Sequence, residues 1–328
     1  MGGNDGWFGP SQRKHDWTWL SQFHHIPAVA AIDKPNFLGS ERLFKRLDRN
    51  LDGVLNQSDF DWTDQSPWVR QTSVLNRVYR TIDSDGDNRV SKKEMEIFDS
   101  GLRGKNENFS MEEFRNFIVA GPPGSVSGDE PSPEKLLRGL FNGELGSIHQ
   151  GPTLGDDAPD FTLTTQDGTQ TISLHEQHVD KPVVLVFGNF TCGPYRRAYP
   201  EIEDIHQQFK DIANFLAIYV REAHPEDGWK MQSNLKQGIT VTQPKTFGER
   251  VSIAQQCQQK LNYTMPLLVD QIDDTVGNAY SGMPARLYVI DRDGKVVYKG
   301  GRGPFGFNSG EMEQALAMTL LEQENSEP

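Results

Sequence analysis

Apolar and polar positions along this chain follow two different rhythms. From residue 158 onward, short unbroken apolar runs stand between punctuating residues: VVLVFG (183–188) between Pro182 and Gly188, NFLAIYV (214–220) and PLLVD (266–270). Runs of that length with β-branched residues read as strands buried on both faces. FTLTTQDGTQTISL (161–174) and ARLYVIDRDGKVVYKG (285–300) each place Asp-Gly between two strand-like halves, the signal of a hairpin. Between these runs the apolar period changes to that of a helix. Ile202, Ile205 and Phe209 recur after Pro194, and Val251, Ala254, Cys257 and Leu261 share one helical face.

Residues 37–119 have another grammar, short amphipathic helices separated by acidic loops. Between the two regions lies GPPGSVSGDEPSPEK (121–135), rich in Pro, Gly, Ser and acid, which marks a boundary. Ser132 as N-cap and Pro133 at the first position predict one short helix over KLLRGLF inside that linker. Trp17, Trp19, Leu20 and Phe23 make an apolar docking segment within an N-terminal arm. The expected division is therefore 1–36 arm, 37–119 helical loop pair, 120–157 linker and 158–325 α/β domain. The order β–α–β–α–β–β–α of that last domain predicts a thioredoxin-like fold.

The acidic loops repeat a pattern with chemical meaning. In DRNLDGVLNQSD (48–59), oxygen-bearing side chains fall at positions 1, 3, 5, 9 and 12, namely Asp48, Asn50, Asp52, Asn56 and Asp59. Val54 offers its carbonyl at position 7, and Gly53 supplies the sharp turn at position 6. In DSDGDNRVSKKE (83–94) the set is Asp83, Asp85, Asp87, the Arg89 carbonyl, Ser91 and Glu94, with Asn88 at the turn. Six oxygens in a 12-residue loop with helical flanks suit Ca²⁺, which is the EF-hand pattern. Leu55 and Val90 at position 8 are expected to pair with each other across the two loops. The shorter Asp59 leaves the first site weaker and more tolerant of Mg²⁺. NENFSMEEF (106–114) reads as the tail of a third, non-binding loop.

FGNFTCGPYRR (187–197) carries one of only two cysteines in the 328 residues. Cys192 stands between a buried strand and a helix start. The helix N-terminus, with Arg196 and Arg197, is expected to stabilise the thiolate and lower its pKa. Thr-Cys-Gly-Pro-Tyr has the form of a two-cysteine redox turn in which Tyr195 replaces the resolving thiol. Met283-Pro284, just before a strand, stands where a thioredoxin-like fold places a cis-proline beside the reactive sulfur. Cys257 reads first as a core residue on its helical stripe, with a resolving role as the alternative.

Composition narrows the function further. The net charge is −13, which offers no positive field for phosphates and argues against nucleic-acid binding. No stretch approaches the ~20 apolar residues of a membrane span. The start shows no hydrophobic signal region, and two cysteines make no disulfide framework, so a cytoplasmic, reducing setting is expected.

FGNFTCGPY, IYVREAHPEDGW (218–229), ERVSIAQ, LLVD, PARLYVI and VVYKGGRGPFGF occur in the order found in the iodothyronine deiodinase family, which this chain resembles over most of residues 183–320. The resemblance implies an oxidoreductase acting on iodinated aromatic amino-acid derivatives with an external thiol reductant. Cys192, at the family's selenocysteine position, is implied as the nucleophile toward ring-bound iodine. Glu222 would join a proton relay, and His224 and Arg286, beside Pro284, would clamp the amino-acid end of the substrate. Deiodinases are typically dimers, so a homodimer is implied. The chain departs from the family at Phe190 and Met265, where helper cysteines are found, and in QPKTFGER, which lacks a family histidine. Two other readings remain from the residues themselves: a thioredoxin-fold thiol peroxidase or reductase, and a calcium-responsive binding module without turnover.

Overall fold

The structure is a computed structural model that describes residues 9–84, 89–104, 106–120, 132–141 and 144–326. Its elements run β1 (Gln12–Arg13), α1 (Trp17–Phe23), β2 (Ile32–Asp33), α2 (Glu41–Leu47), β3 (Val54–Leu55), α3 (Pro67–Ile82), α4 (Lys92–Arg103), α5 (Met111–Ala120) and α6 (Pro133–Phe141). They continue with β4 (Thr162–Thr165), β5 (Thr171–Ser173), α7 (Leu174–His178), β6 (Val183–Gly188), α8 (Gly193–Phe209), β7 (Asn214–Tyr219), α9 (Gln232–Lys236) and α10 (Phe247–Leu261). The last are β8 (Leu267–Val269), α11 (Thr275–Ala279), β9 (Arg286–Ile290), β10 (Val296–Lys299) and α12 (Ser309–Glu324).

Eight strands form one sheet in the order β1-β10-β9-β6-β7-β8-β4-β5, and β2 and β3 form a second, two-stranded sheet. β6 pairs in parallel with β7 and antiparallel with β9, and β9 turns back into β10. That βαβ unit followed by a hairpin and a helix is the thioredoxin-like core. β6 lies at its centre with every residue buried, as its unbroken apolar run requires. Burying each such Val, Leu or Phe side chain is worth about 1.5–3 kcal/mol. β8 adds to the edge of β7 in parallel, and the β4–β5 hairpin extends the sheet beyond it. The Asp167-Gly168 and Asp293-Gly294 turns fall where the sequence puts them, with both glycines at positive φ, +71° and +75°.

The N-terminal region is more tightly built in than an arm. Gln12 and Arg13 pair with Lys299 and Tyr298 and extend the sheet beyond β10. Trp17, Leu20, Ile32, Leu43, Phe44, Leu47, Leu55 and Phe60 belong to the same buried cluster as β6 and α12. The expected Leu55–Val90 pairing is not formed: Leu55 of β3 pairs with Ile32 of β2. The first acidic loop thus has its partner strand upstream, where residues 24–36 carry no run of acids to advertise it. The second loop sits with a different group, α3 packing against α4 and α5. Ser132 caps α6 through its hydroxyl, as expected, whereas residues 121–131 of the linker lie outside the described residues.

Candidate functional site

Cys192 is the N-cap of α8, with Pro194 in the first turn, so the strand-turn-helix placement stands. The Met283–Pro284 bond is cis. The Asn189 side chain bridges the two segments, its amide donating to Pro284 O at 3.0 Å while its carbonyl oxygen accepts from Ala223 N at 3.1 Å. Three loops, 189–192, 222–224 and 283–285, therefore meet at the C-terminal end of β6.

The expected low-pKa thiol is corrected by this geometry. Cys192 is only 2% exposed. Burial pushes its thiol up to about 11, while the Tyr195 backbone N–H and the positive charges of Arg196 and Arg197 pull the other way. Desolvation wins because the sulfur gives up water for few partners. The Glu222 carboxylate adds a further upward push.

Glu222 is itself 1% exposed and is the hub of a buried network. Its Oε2 accepts from the Thr191 N–H at 2.9 Å and the Thr191 hydroxyl at 2.6 Å, and its Oε1 accepts from the Tyr219 hydroxyl. Gln243 holds the Glu222 backbone at both ends, Oε1 accepting from N at 3.0 Å and Nε2 donating to O at 3.3 Å. Burial raises the Glu222 pKa, and the hydrogen bonds from Thr191 and Tyr219 oppose it. A carboxyl in that balance can hold or release a proton one residue away from the thiol.

His224 joins the network through its backbone, its N–H donating to Thr191 Oγ1 at 2.9 Å. Its Nδ1 lies 3.1 Å from Trp229 O, and the Trp229 ring packs against it edge-to-face at 4.6 Å. Arg286 opens β9 opposite Phe187 of β6 and is 1% exposed. Tyr195, in the place of a resolving thiol, points its hydroxyl to that of Tyr263. Cys257 lies 3.9 Å from the same Tyr263 hydroxyl and is fully buried, which agrees with a packing role. Asn189, Thr191, Tyr219 and Gln243 were not singled out in the sequence. Only the adjacency of Thr191 to Cys192 hinted at any of them.

The acidic loops close in a common way. Asp59 accepts from Arg49 N at 3.1 Å and Asn56 N at 2.9 Å. Glu94 accepts from Ser84 N at 2.8 Å and Ser91 N at 2.9 Å, so the twelfth residue fastens the second and ninth in both. In the first loop Asp48 accepts from Asp52 N and Gly53 N, Asn50 from Asp52 N, and Asp52 from Val54 N. Burial raises the Asp59 pKa, and the charges of Asp48 and Asp52 add to it. Among the described residues no group of three or more His, Cys, Asp or Glu is placed to hold a metal ion. Asp83 caps α3; Asp85 and Asp87 lie outside the described residues. No helix among the described residues is long and apolar enough to cross a membrane.

Comparison with known proteins gives this arrangement its context. The profile of the family described as iodothyronine deiodinase matches residues 133–319. The chain belongs to the iodothyronine deiodinase family. It is thus an oxidoreductase, and the match starts ahead of residue 158, at α6. The chain is 27% identical over 199 residues to the type II iodothyronine deiodinase of Rattus norvegicus, covering 55% of this chain and 74% of that one. It is 29% identical over 181 residues to the thyroxine 5-deiodinase of Gallus gallus, covering 55% and 68%. A solved structure from Geobacillus kaustophilus, described as an uncharacterized conserved protein, shares 24% identity at a TM-score of 0.39, over 52% of this chain and 82% of that one.

Proposed function

We propose that this deiodinase-family chain removes iodine reductively from iodinated aromatic amino-acid derivatives, with Cys192 as nucleophile. What carries the reading is the seat of Cys192 at the start of α8, directly after a threonine whose N–H and hydroxyl both hold the buried Glu222. The thiolate attacks iodine along the carbon–iodine bond. A sulfur–iodine bond forms, the carbon–iodine bond breaks, and the ring carbon keeps the electron pair and takes a proton. Glu222, with Thr191 and Tyr219, holds the proton for that step. An external thiol then displaces iodide from sulfur, leaving a mixed disulfide that a second thiol reduces. The external reductant follows from Tyr195 occupying the resolving position and Cys257 being sealed in the core. Both cysteines are free, as a reducing compartment such as the cytoplasm keeps them.

Opening the site to an incoming ring supplies the thiolate, because water and substrate polarity relieve the desolvation that holds the thiol protonated. Arg286 and His224, together with Pro284, take the substrate's charged amino-acid end. The test is iodide release from an iodinated thyronine in the presence of dithiothreitol. The chain releases iodide and Cys192→Ser does not; iodide release surviving in Cys192→Ser removes the assignment. Peroxide consumption without iodide release favours a thiol peroxidase instead.

The loops at 48–59 and 83–94 support a second, separable reading as calcium sites. Their oxygen donors are those a hard cation takes, and both close through the twelfth residue. The carboxylates of the first loop now face backbone N–H groups, so an ion must draw them inward. Calorimetric titration with Ca²⁺ gives up to two binding events that Asp48→Ala and Glu94→Ala remove one at a time. A flat titration rejects the reading.

A further inference from the structure

Arg196 stands one turn beyond the reactive sulfur, and its charge favours the thiolate. Its hydrogen bonds, however, run away from the sulfur. One terminal nitrogen donates to Phe190 O at 2.5 Å. The other donates to Asn234 Oδ1 at 2.7 Å and to Gln237 Oε1 at 2.8 Å. Asn234 in turn donates from Nδ2 to Thr191 O at 2.9 Å. Arg196 and Asn234 are 7% and 3% exposed. One guanidinium and one amide therefore fasten α9 and its C-cap to the carbonyls of the two residues that precede the thiol.

α9 has five residues, too few to be stable by itself. Its place depends on what it is tied to, and two of those ties, through Asn234 and the C-cap Gln237, run to Arg196. The planar fork of a guanidinium, with donors on both terminal nitrogens, serves three acceptors at once; a lysine ammonium on a flexible stem does not reproduce that geometry. The sulfur beneath this turn is the one already found to be nearly inaccessible.

We propose that Arg196 is a positioning residue that latches residues 232–237 onto the nucleophile turn, so that the sulfur is covered at rest and is reached when the latch opens. That the visitor is an iodinated ring rests on the deiodinase reading above; the latch does not.

The full-length chain and its Arg196→Lys variant are labelled with iodoacetamide at neutral pH, and each cysteine is followed by peptide-resolved mass spectrometry. Lysine keeps the positive charge near the sulfur, so a faster rate reports opening of the turn, with the ionisation that opening brings, rather than the loss of a nearby charge. Cys257, fully buried in α10, is the internal control for general loosening. The expected result is roughly tenfold or faster labelling of Cys192 with Cys257 unchanged, the scale of one local opening. Backbone amides of residues 230–240 exchange faster in the variant while β6 stays protected. Unchanged labelling of Cys192, or equal acceleration of both cysteines, overturns the latch. Iodide release by the unaltered chain is measured alongside. Its absence rejects the deiodinase reading and leaves the labelling result to decide the latch by itself.

Discussion

At Cys192 the helix N-terminus and two arginines favour the anion, and burial favours the neutral thiol; burial prevails, at a pKa of about 11. Labelling of Cys192 by iodoacetamide in the resting chain is thus expected to keep climbing beyond pH 9.0, the ordinary value for this group, rather than level off there. A plateau near pH 8 contradicts the burial. Glu222 pushes the same thiol up, so Glu222→Gln moves the labelling curve to lower pH. In the proposed mechanism the same change removes the proton holder, and iodide release is expected to fall by about 10²–10⁴-fold. Easier ionisation with slower turnover separates the two roles; a variant with both unchanged rejects them. The position of Cys192 was legible because strand, proline and helix periodicity are local signals. Its protonation was not, because desolvation depends on what packs over the turn. The residues fastened to that turn include Asn234, which donates to Thr191 O from more than forty residues away in sequence.

Among the elements, β6 and the start of α8 are matched to each other across Gly188. A Cβ at Gly188 falls 2.2 Å from the Tyr195 ring. Gly188→Ala is expected to cost about 1–3 kcal/mol or more by overpacking, and Tyr195→Leu in the same chain to recover part of it, read from denaturant midpoints. Additive losses would show that the two residues do not compete for the same space. The long runs and helical stripes announced β6, β7, α8 and α10, since a period repeated over several residues survives any context. β1, β2 and β3 are two residues each, too short to carry a period. The partner of Leu55 is accordingly chosen by tertiary packing, and Ile32 prevails over Val90.

Over the described residues, residues 9–60 and the deiodinase-type domain share one core around α12. Arg42 forms a two-pronged pair with Asp211 at 3.0 and 2.9 Å, and Gln314 of α12 donates to Asp59 O at 2.8 Å and accepts from Trp62 Nε1 at 2.7 Å. Gly39 approaches Leu321 so closely that a Cβ there would meet its side chain at 2.5 Å. A chain trimmed to residue 133, where the family match begins, uncovers that side of α12. It should melt more than about 10 °C lower or come out insoluble, since each kcal/mol lost shifts the midpoint by about 2–4 °C in a domain of this size. Melting within 3 °C of the full chain would make the N-terminal region an appendage. Within the core, Leu20→Ala should cost about 2–5 kcal/mol, as for any fully enclosed leucine.

The phenol that fills the resolving position has a consequence for the chain's history. Tyr195 presses on Gly188 and reaches Tyr263 with its hydroxyl. Exchanging it for cysteine in one step would empty a ring-sized volume in the interior and strand the facing hydroxyl. Acquiring a self-regenerating pair of thiols at this turn is therefore an uphill path of several coordinated changes.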